Sequence, residues 1–216
     1  MSHKVRQYNQ HVKWRGECGK KFGAVKDLKV VNPHKLIKEY IAKKQGAVLD
    51  FGCGMHKIHQ HNYQIPDDRY FSLDSDTDGQ FDYNSLDDIP SCQKFDFVIM
   101  NQVIEHIPFE DCIKMISHLS EFINGGGNIF ITVPNVQHPV RYWGDLDHVT
   151  PWTFEDIYAL YKNINFEIEY LARYNKHRLP YNPFKRLLIK TVCDVFRVDW
   201  CDSIMGLGRK VVDTKY

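Results

Sequence analysis

The chain has 216 residues, 43% of them hydrophobic and 25% charged. These values lie close to the averages for soluble globular proteins, so they exclude a disordered, collagen-like or disulfide-stapled chain and fit a single α/β or all-β domain. Lys plus Arg total 28 against 27 for Asp plus Glu, a net charge of +1, which gives no general case for nucleic-acid binding. That near-neutrality averages two unlike segments. Residues 1–45 carry 12 Lys or Arg against Glu17, Asp27 and Glu39, a charge of +9, and 46–216 carry −8. Such an arm suits either an anionic partner or docking on the acidic body. The six cysteines include no C-x-x-C pair, as expected in a reducing cytosol and not in a zinc knuckle. No apolar run approaches the ~20 residues that cross a bilayer, and the first residues lack the apolar core of a signal peptide. A cytoplasmic location is expected.

In chain order, residues 1–31 read as a polar, basic arm anchored by Tyr8, Trp14 and Phe22. Asn32-Pro33 is an N-cap followed by proline at the first helical position. It opens a helix with Leu36, Ile37, Tyr40 and Ile41 on one face, stopped by Gly46. Residues 47–51 form an apolar run entering a Gly-Cys-Gly turn, 70–74 a second strand ending in an acid, and 95–100 a third strand. Pro108 opens a helix with Cys112, Ile113, Ile116, Leu119 and Ile123 on its apolar face, ended by Gly125-Gly126-Gly127. Residues 128–133 are a buried strand. Thr153 caps a helix running to Lys162, with Glu155 and Asp156 in its first turn. Residues 166–170 alternate as a strand, Asn182-Pro183 starts another helix, and 204–211 closes the chain as a strand. Strands alternating with helices imply a mostly parallel sheet covered on both faces, with ligands at the carboxyl ends of its strands.

The most specific segment is Val48-Leu49-Asp50-Phe51-Gly52-Cys53-Gly54. Its glycines allow a tight turn and close approach to a ligand. A dinucleotide fingerprint would need glycine at 57, where the chain has Lys57. Asp74 lies 20 residues beyond Gly54, at a strand end where an acid accepts both hydroxyls of a ribose. Alone it reads equally as a solvated acid beside Asp76 and Asp78. Together with the glycine loop it points to ribose binding.

Over about 47–171 the chain resembles the class I S-adenosylmethionine-dependent methyltransferases, and in particular their small-molecule and glycan branch. The resemblance rests on V-L-D-F-G-C-G, S-L-D-S-D, F-D-F-V-I-M-N-Q-V-I-E-H-I and G-G-G-N-I-F-I-T-V-P-N. It implies a Rossmann-like, doubly wound α/β fold whose seven-stranded, mostly parallel sheet has its last strand antiparallel, near 204–211. It implies S-adenosylmethionine as cofactor. Asp50, Gly52, Cys53 and Gly54 would frame its methionine end, Asp74 and Ser75 its ribose, and Asp82 or Ser85 its adenine amino group. Asn101 and Gln102 would face it from the end of the 95–100 strand. Residues 1–45 then form an arm and helix capping the site, and 46–216 the methyltransferase domain.

Methyl transfer from a sulfonium is an in-line displacement in which the protein aligns the reacting atoms. A hydroxyl nucleophile also needs a base with a pKa near working pH. His106 and His148 are the candidates, with His148 preferred. Orienting a loop, or a hydrogen bond from His148 to Asp145 or Asp147, is the structural alternative. The loop from Tyr142 to Thr153 is similar to a segment of methyltransferases associated with sugars, glycans and other hydroxylated metabolites. The likeness implies that Tyr142, Trp143, Asp145 and Asp147 meet the acceptor. Cys53, His56, His59 and His61, or Asp145 and Asp147, are spaced permissively for a metal, but none is expected.

Residues 172–203 are an insertion. A helix over 183–197 places Phe184, Leu187, Leu188, Val192, Val195 and Phe196 on one face, with Lys185, Arg186, Lys190 and Arg197 around them. This helix suits a lid or core helix, a dimer face, or contact with an anionic membrane surface. The expected activity is O-methylation of a small hydroxylated acceptor, such as a sugar, a nucleotide-sugar or a glycan end, with anionic acceptors favoured by the basic arm. The alternatives are a catalytically silent cofactor-binding module and an RNA or protein methyltransferase. Base methylation is disfavoured, because the chain has neither a P-P-aromatic segment after 101 nor a Pro-Cys dipeptide.

Overall fold

The structure, a computed structural model, describes residues 3–175 and 182–212, with side chains from Tyr8 onward. Its six strands are β1 (Val48–Phe51), β2 (Tyr70–Leu73), β3 (Phe95–Asn101), β4 (Ile123–Pro134), β5 (Phe166–Tyr174) and β6 (Ser203–Lys210). They form one sheet in the order β2-β1-β3-β4-β6-β5. β6 runs antiparallel to both neighbours, and the other pairs are parallel. The helices are α1 (His3–Phe22), α2 (Pro33–Lys44), α3 (Ile58–Tyr63), α4 (Phe109–Glu121), α5 (Phe154–Asn163) and α6 (Pro183–Phe196).

Alternate residues of the strands feed two cores. Leu49, Phe51, Val98, Met100, Ile129 and Ile131 pack with Ile116 and Leu119 of α4 and Ile157 and Tyr161 of α5. Val48, Phe97, Ile99 and Phe130 pack with Leu36, Ile37 and Ile41 of α2 and Tyr63 of α3. Burial on both faces is why these strands read as nearly unbroken apolar runs.

Three expectations are corrected. The sheet has six strands, not seven. The missing edge strand is reduced to a single bridge between Leu73 and Tyr83. The chain before it, Asp74 to Asp82, is too acidic and glycine-containing to extend, and it curls instead. The Asp76 N–H donates to Asp74 Oδ1 and the Asp78 N–H to Asp76 Oδ1. The triple glycine does not end α4, which stops at Glu121. It lies within β4, where Gly126 has φ +76° and the register against β3 shifts. The basic arm is mostly a 20-residue helix. α1 docks on α5 through Cys18, Trp14 and Phe22, which pack on the core, and through polar pairs: His11 Nε2 and Asp156 Oδ1 at 3.0 Å, Arg15 and Asp156 at 3.3 Å, and the Tyr158 hydroxyl donating to Glu17.

The insertion between β5 and β6 begins after Tyr174, and its residues 176–181 lie outside the described residues. Asn182 caps α6 by accepting the Phe184 and Lys185 N–H groups, and no side chain of α6 is buried. No helix among the described residues is long and apolar enough to cross a membrane.

Candidate functional site

The loop leaving β1 is built by backbone geometry. Gly52 and Gly54 have φ of +70° and +63°, a region that suits glycine. The Gly52 and Cys53 N–H groups both reach the Leu73 carbonyl, and the Gly54 N–H donates to Asp74 Oδ2 at 2.8 Å. A Cβ on Gly52 would come within 2.5 Å of Val103, so this glycine lets the loop close onto the segment after β3. A Cβ on Gly54 would meet nothing within 4 Å, so that residue presents an open face. Asp74 is thus held at the end of β2 by one backbone N–H on each oxygen, with lone pairs left over.

Other residues expected around a cofactor are engaged differently. Asp50 is fully buried. Its carboxylate accepts His59 Nδ1 at 2.9 Å and the Tyr70 hydroxyl at 2.8 Å, so it braces the interior beneath the loop. Burial, then the Asp50 and Asp74 charges, push the Cys53 thiol up to about 12, which makes it a packing group rather than a nucleophile. Asp82 accepts both the N–H and the hydroxyl of Ser72, and the Ser85 hydroxyl donates to Asp88. Asn84, in the same stretch, donates to the Asp74 carbonyl at 3.2 Å. Ser75 is exposed on the loop after Asp74.

A cavity of about 610 Å³ opens at the carboxyl ends of β3 and β4, and His34, His59, Gln102, His106, Arg141 and His148 are among its lining residues. Asn101 and Gln102 also meet there over one hydroxyl. Thr132 Oγ1 donates to Asn101 Oδ1 at 2.8 Å and accepts Gln102 Nε2 at 3.1 Å. Of the 1–45 segment, Pro33 and His34 at the start of α2 reach this cavity. A larger groove of about 750 Å³ lies between α1, α4 and α5, away from the strand ends, with Tyr8, His11 and Phe109 in its walls. The exposed α6 lines neither.

The 104–107 turn and the 149–152 segment are clamped together. The Glu105 carbonyl accepts the Val149 and Thr150 N–H groups, the Thr150 hydroxyl donates to the Ile107 carbonyl, and the Trp152 indole N–H donates to the Ile104 carbonyl. This clamp brings the two candidate bases together, with ring centroids 4.9 Å apart. His106 Nδ1 lies 3.2 Å from the Asp147 carbonyl and His148 Nδ1 lies 2.7 Å from the Tyr142 carbonyl. A carbonyl only accepts, so each Nδ1 donates and each neutral ring keeps its lone pair on Nε2. Asp145 Oδ2 is 3.7 Å from His148 Nε2, and the hydrogen bond that the structural alternative directed to Asp145 or Asp147 goes to the Tyr142 carbonyl. Tyr142 is buried and stacks on His148, whereas Trp143 is 66% exposed and packs edge-on against Tyr142. Asp147 offers its carbonyl rather than its carboxylate. Of the four residues expected at the acceptor, Asp145 alone lines the cavity.

Sequence reasoning did not single out Glu105. It is 0% exposed, and neither carboxylate oxygen has a partner on any other described residue. Burial, against a small lowering by its own backbone and a further rise from Asp145, pushes its pKa up to about 8. The signal was a charged residue inside the apolar run Val103-Ile104-Glu105-His106-Ile107.

A family model described as a methyltransferase domain matches residues 30–171. No curated protein matches the sequence. Solved structures do. A SAM-dependent methyltransferase from Archaeoglobus fulgidus matches with a TM-score of 0.59 at 16% identity, over 82% of this chain and 94% of that one. An S-adenosylmethionine-dependent methyltransferase from Clostridium acetobutylicum matches with a TM-score of 0.57 at 10% identity, over 95% and 99%. Magnesium protoporphyrin IX methyltransferase from Synechocystis, with bound SAM, matches with a TM-score of 0.53 at 16% identity, over 82% and 78%. At these identities the likeness is one of fold.

Proposed function

We propose, from the premise that this chain belongs to the family of methyltransferase domains, that it transfers a methyl group from S-adenosylmethionine to an oxygen of a small hydroxylated acceptor, such as a sugar, a nucleotide-linked sugar or a glycan end. The residues present fit the cofactor. Gly54, at φ +63°, offers an open face with nothing within 4 Å, and Asp74 is pre-oriented with lone pairs to accept ribose hydroxyls. When bound, S-adenosylmethionine supplies a methyl group on a positively charged sulfur.

The paired imidazoles carry the choice of oxygen. His148 holds a lone pair on Nε2 within the cavity and takes the proton of the acceptor hydroxyl, with His106 beside it as the second candidate. Tyr142 and Asp147 act through these rings by fixing them with their carbonyls. His34 gives the cavity a basic group suited to an anionic acceptor, while Arg141 is paired with Asp202 in the same wall. The exposed apolar face of α6, with Lys185 and Lys190 on the same helix, supports contact with an anionic lipid surface. Flotation with anionic vesicles tests that surface, and its failure with the wild-type chain removes it.

The test of the main reading is calorimetry of S-adenosylmethionine on the wild type and on Asp74→Ala, followed by an acceptor screen that reads release of S-adenosylhomocysteine. Binding to the wild type, weakened in the variant, is expected. Absence of wild-type binding overturns the methyltransferase reading. Binding without product from any hydroxylated acceptor favours a silent module.

A further inference from the structure

We infer that Glu105, His106 and His148 form the binding site of one divalent first-row transition-metal ion at the strand-end cavity. The inference uses the oxygen-methylation reading for its chemical purpose, but the binding itself stands independently of it.

Convergence is the first observation. One ligand atom from each of the three residues lies within 4.8 Å of the others. Among the described residues, this group of three gathers so, while Cys53, His56, His59 and His61 do not.

The second observation is the state of Glu105. A carboxyl that is 0% exposed, with no partner for either oxygen on any other described residue, gives up its proton only where a positive charge meets it. Among the described residues no Lys or Arg bonds to it, and the two side chains beside it are imidazoles. A cation shared by the three groups supplies the missing partner.

The third observation is the way the imidazoles are held. Metal-ligating histidines characteristically donate their other ring N–H to a carbonyl or carboxylate, which fixes the tautomer and the ring orientation. Both histidines do so here, His106 to Asp147 and His148 to Tyr142. His148 is further packed by the stacked Tyr142 ring, and both sit on segments bound to each other by the Glu105 carbonyl. The supporting shell of a metal site is therefore in place.

Ligand chemistry selects the ion. Two imidazoles and one carboxylate suit Zn²⁺, Mn²⁺, Fe²⁺ or Co²⁺, whereas Mg²⁺ and Ca²⁺ prefer sets made of oxygen. Asp145, 3.7 Å from His148 Nε2 and half exposed, borders the open side, where water or the acceptor completes the coordination. In the methylation reaction the ion acts as a Lewis acid. The acceptor O–H gives its proton to solvent water, and the oxygen forms a bond to the methyl carbon. The carbon–sulfur bond breaks with its electron pair going to sulfur, which leaves a methyl ether and neutral S-adenosylhomocysteine. No oxidation state changes. With the ion bound, the Nε2 lone pairs of His106 and His148 are occupied and the proton goes to solvent; in the ion-free chain His148 takes it.

The experiment is titration of the chelator-stripped full chain with Co²⁺, read by calorimetry and by the visible absorption of the bound ion. S-Adenosylmethionine binding is measured on the same samples. Saturable binding of one Co²⁺ per chain is expected, competed by Zn²⁺ and not by Mg²⁺. Glu105→Gln and His148→Ala should each weaken it by roughly 100-fold or more, and retained cofactor binding would show that the variants are folded. Should Glu105→Gln not fold, His106→Ala replaces it. A wild-type chain that binds S-adenosylmethionine but no Co²⁺ overturns the site, and so does Co²⁺ binding unchanged in the variants. A wild-type chain that binds Co²⁺ but no S-adenosylmethionine leaves the ion site standing and overturns the reading of its purpose.

Discussion

His106 and His148 stand with their rings 4.9 Å apart because a single carbonyl, that of Glu105, takes the N–H groups of both Val149 and Thr150 at 2.9 and 3.0 Å. The spacing of the two candidate bases is therefore a property of the clamp between the turn after β3 and the loop before α5. The Thr150 side chain is part of that clamp, donating to the Ile107 carbonyl at 2.7 Å.

Thr150→Val keeps the shape and removes this bond. Its cost in stability is expected to be about 1 kcal/mol. Turnover with a competent acceptor should fall while the affinity for S-adenosylmethionine is unchanged, because Thr150 positions the imidazoles and does not touch the glycine loop. Equal losses in cofactor affinity and turnover would contradict the positioning role.

His148→Ala and His106→Ala are expected to lower turnover by roughly 10²- to 10⁴-fold for whichever imidazole takes part in deprotonation. Cofactor affinity should be retained. Steady-state release of S-adenosylhomocysteine measures this, and near-normal turnover in both variants would remove the imidazoles from the reaction.

Asp50→Ala strands two buried groups, His59 Nδ1 and the Tyr70 hydroxyl. Each orphaned group costs about 1–3 kcal/mol, so a clear fall in Tm is expected. A Tm within error of the wild type would show that the carboxylate does not brace the loop.

Gly52→Ala meets two obstacles, a φ of +70° and a Cβ 2.5 Å from Val103. The double variant with Val103→Ala relieves the contact but not the dihedral strain, of order 1–3 kcal/mol. Denaturant unfolding should therefore show partial recovery in the double variant, and cofactor calorimetry should follow the same order.

Asp156 sets a pH dependence. Burial pushes its carboxyl up, but hydrogen bonds from His11 and Thr153 and the Arg15 charge outweigh it, and the net pKa lies below the ordinary carboxylate value. A carboxylate depressed on folding contributes stability that is fully present above its unfolded pKa of ~4 and is lost as pH falls through the folded value. Asp156→Asn should thus lower Tm at neutral pH by loosening α1 from α5. The difference from the wild type should shrink on acidification through the carboxylate range. A gap that is constant with pH would contradict the linkage.

Much of the scaffold was legible because its signals are local. Phe97 to Met100 alternates between two cores, so it reads as an unbroken apolar run. Asn32-Pro33 caps α2, and Thr153 caps α5, as their residue types dictate. The elements that were misread depend on distant partners. α1 is mostly polar, and its short stripe Trp14, Cys18 and Phe22 is completed by polar pairs to α5. The triple glycine has the composition of a helix stop, yet it lies inside β4, in the register shift between Ile123 and Asn128, which pair with Phe95 and Phe97 of β3. The partners of Asp82 and Ser85, namely Ser72 and Asp88, were likewise invisible in the sequence.

The sequence by itself determined the family, the glycine loop and the strand-end acid Asp74. These rest on backbone torsion and on short-range register, which residue types specify directly. Only the tertiary structure decided what happens at the acceptor side. Glu105 looks like any acid before a histidine until its burial is known, since desolvation depends on everything packed around it. His106 and His148 become one cluster through hydrogen bonds between segments far apart in the chain. The meeting of a desolvated carboxylate with two oriented imidazoles comes from long-range packing, and no local pattern encodes it.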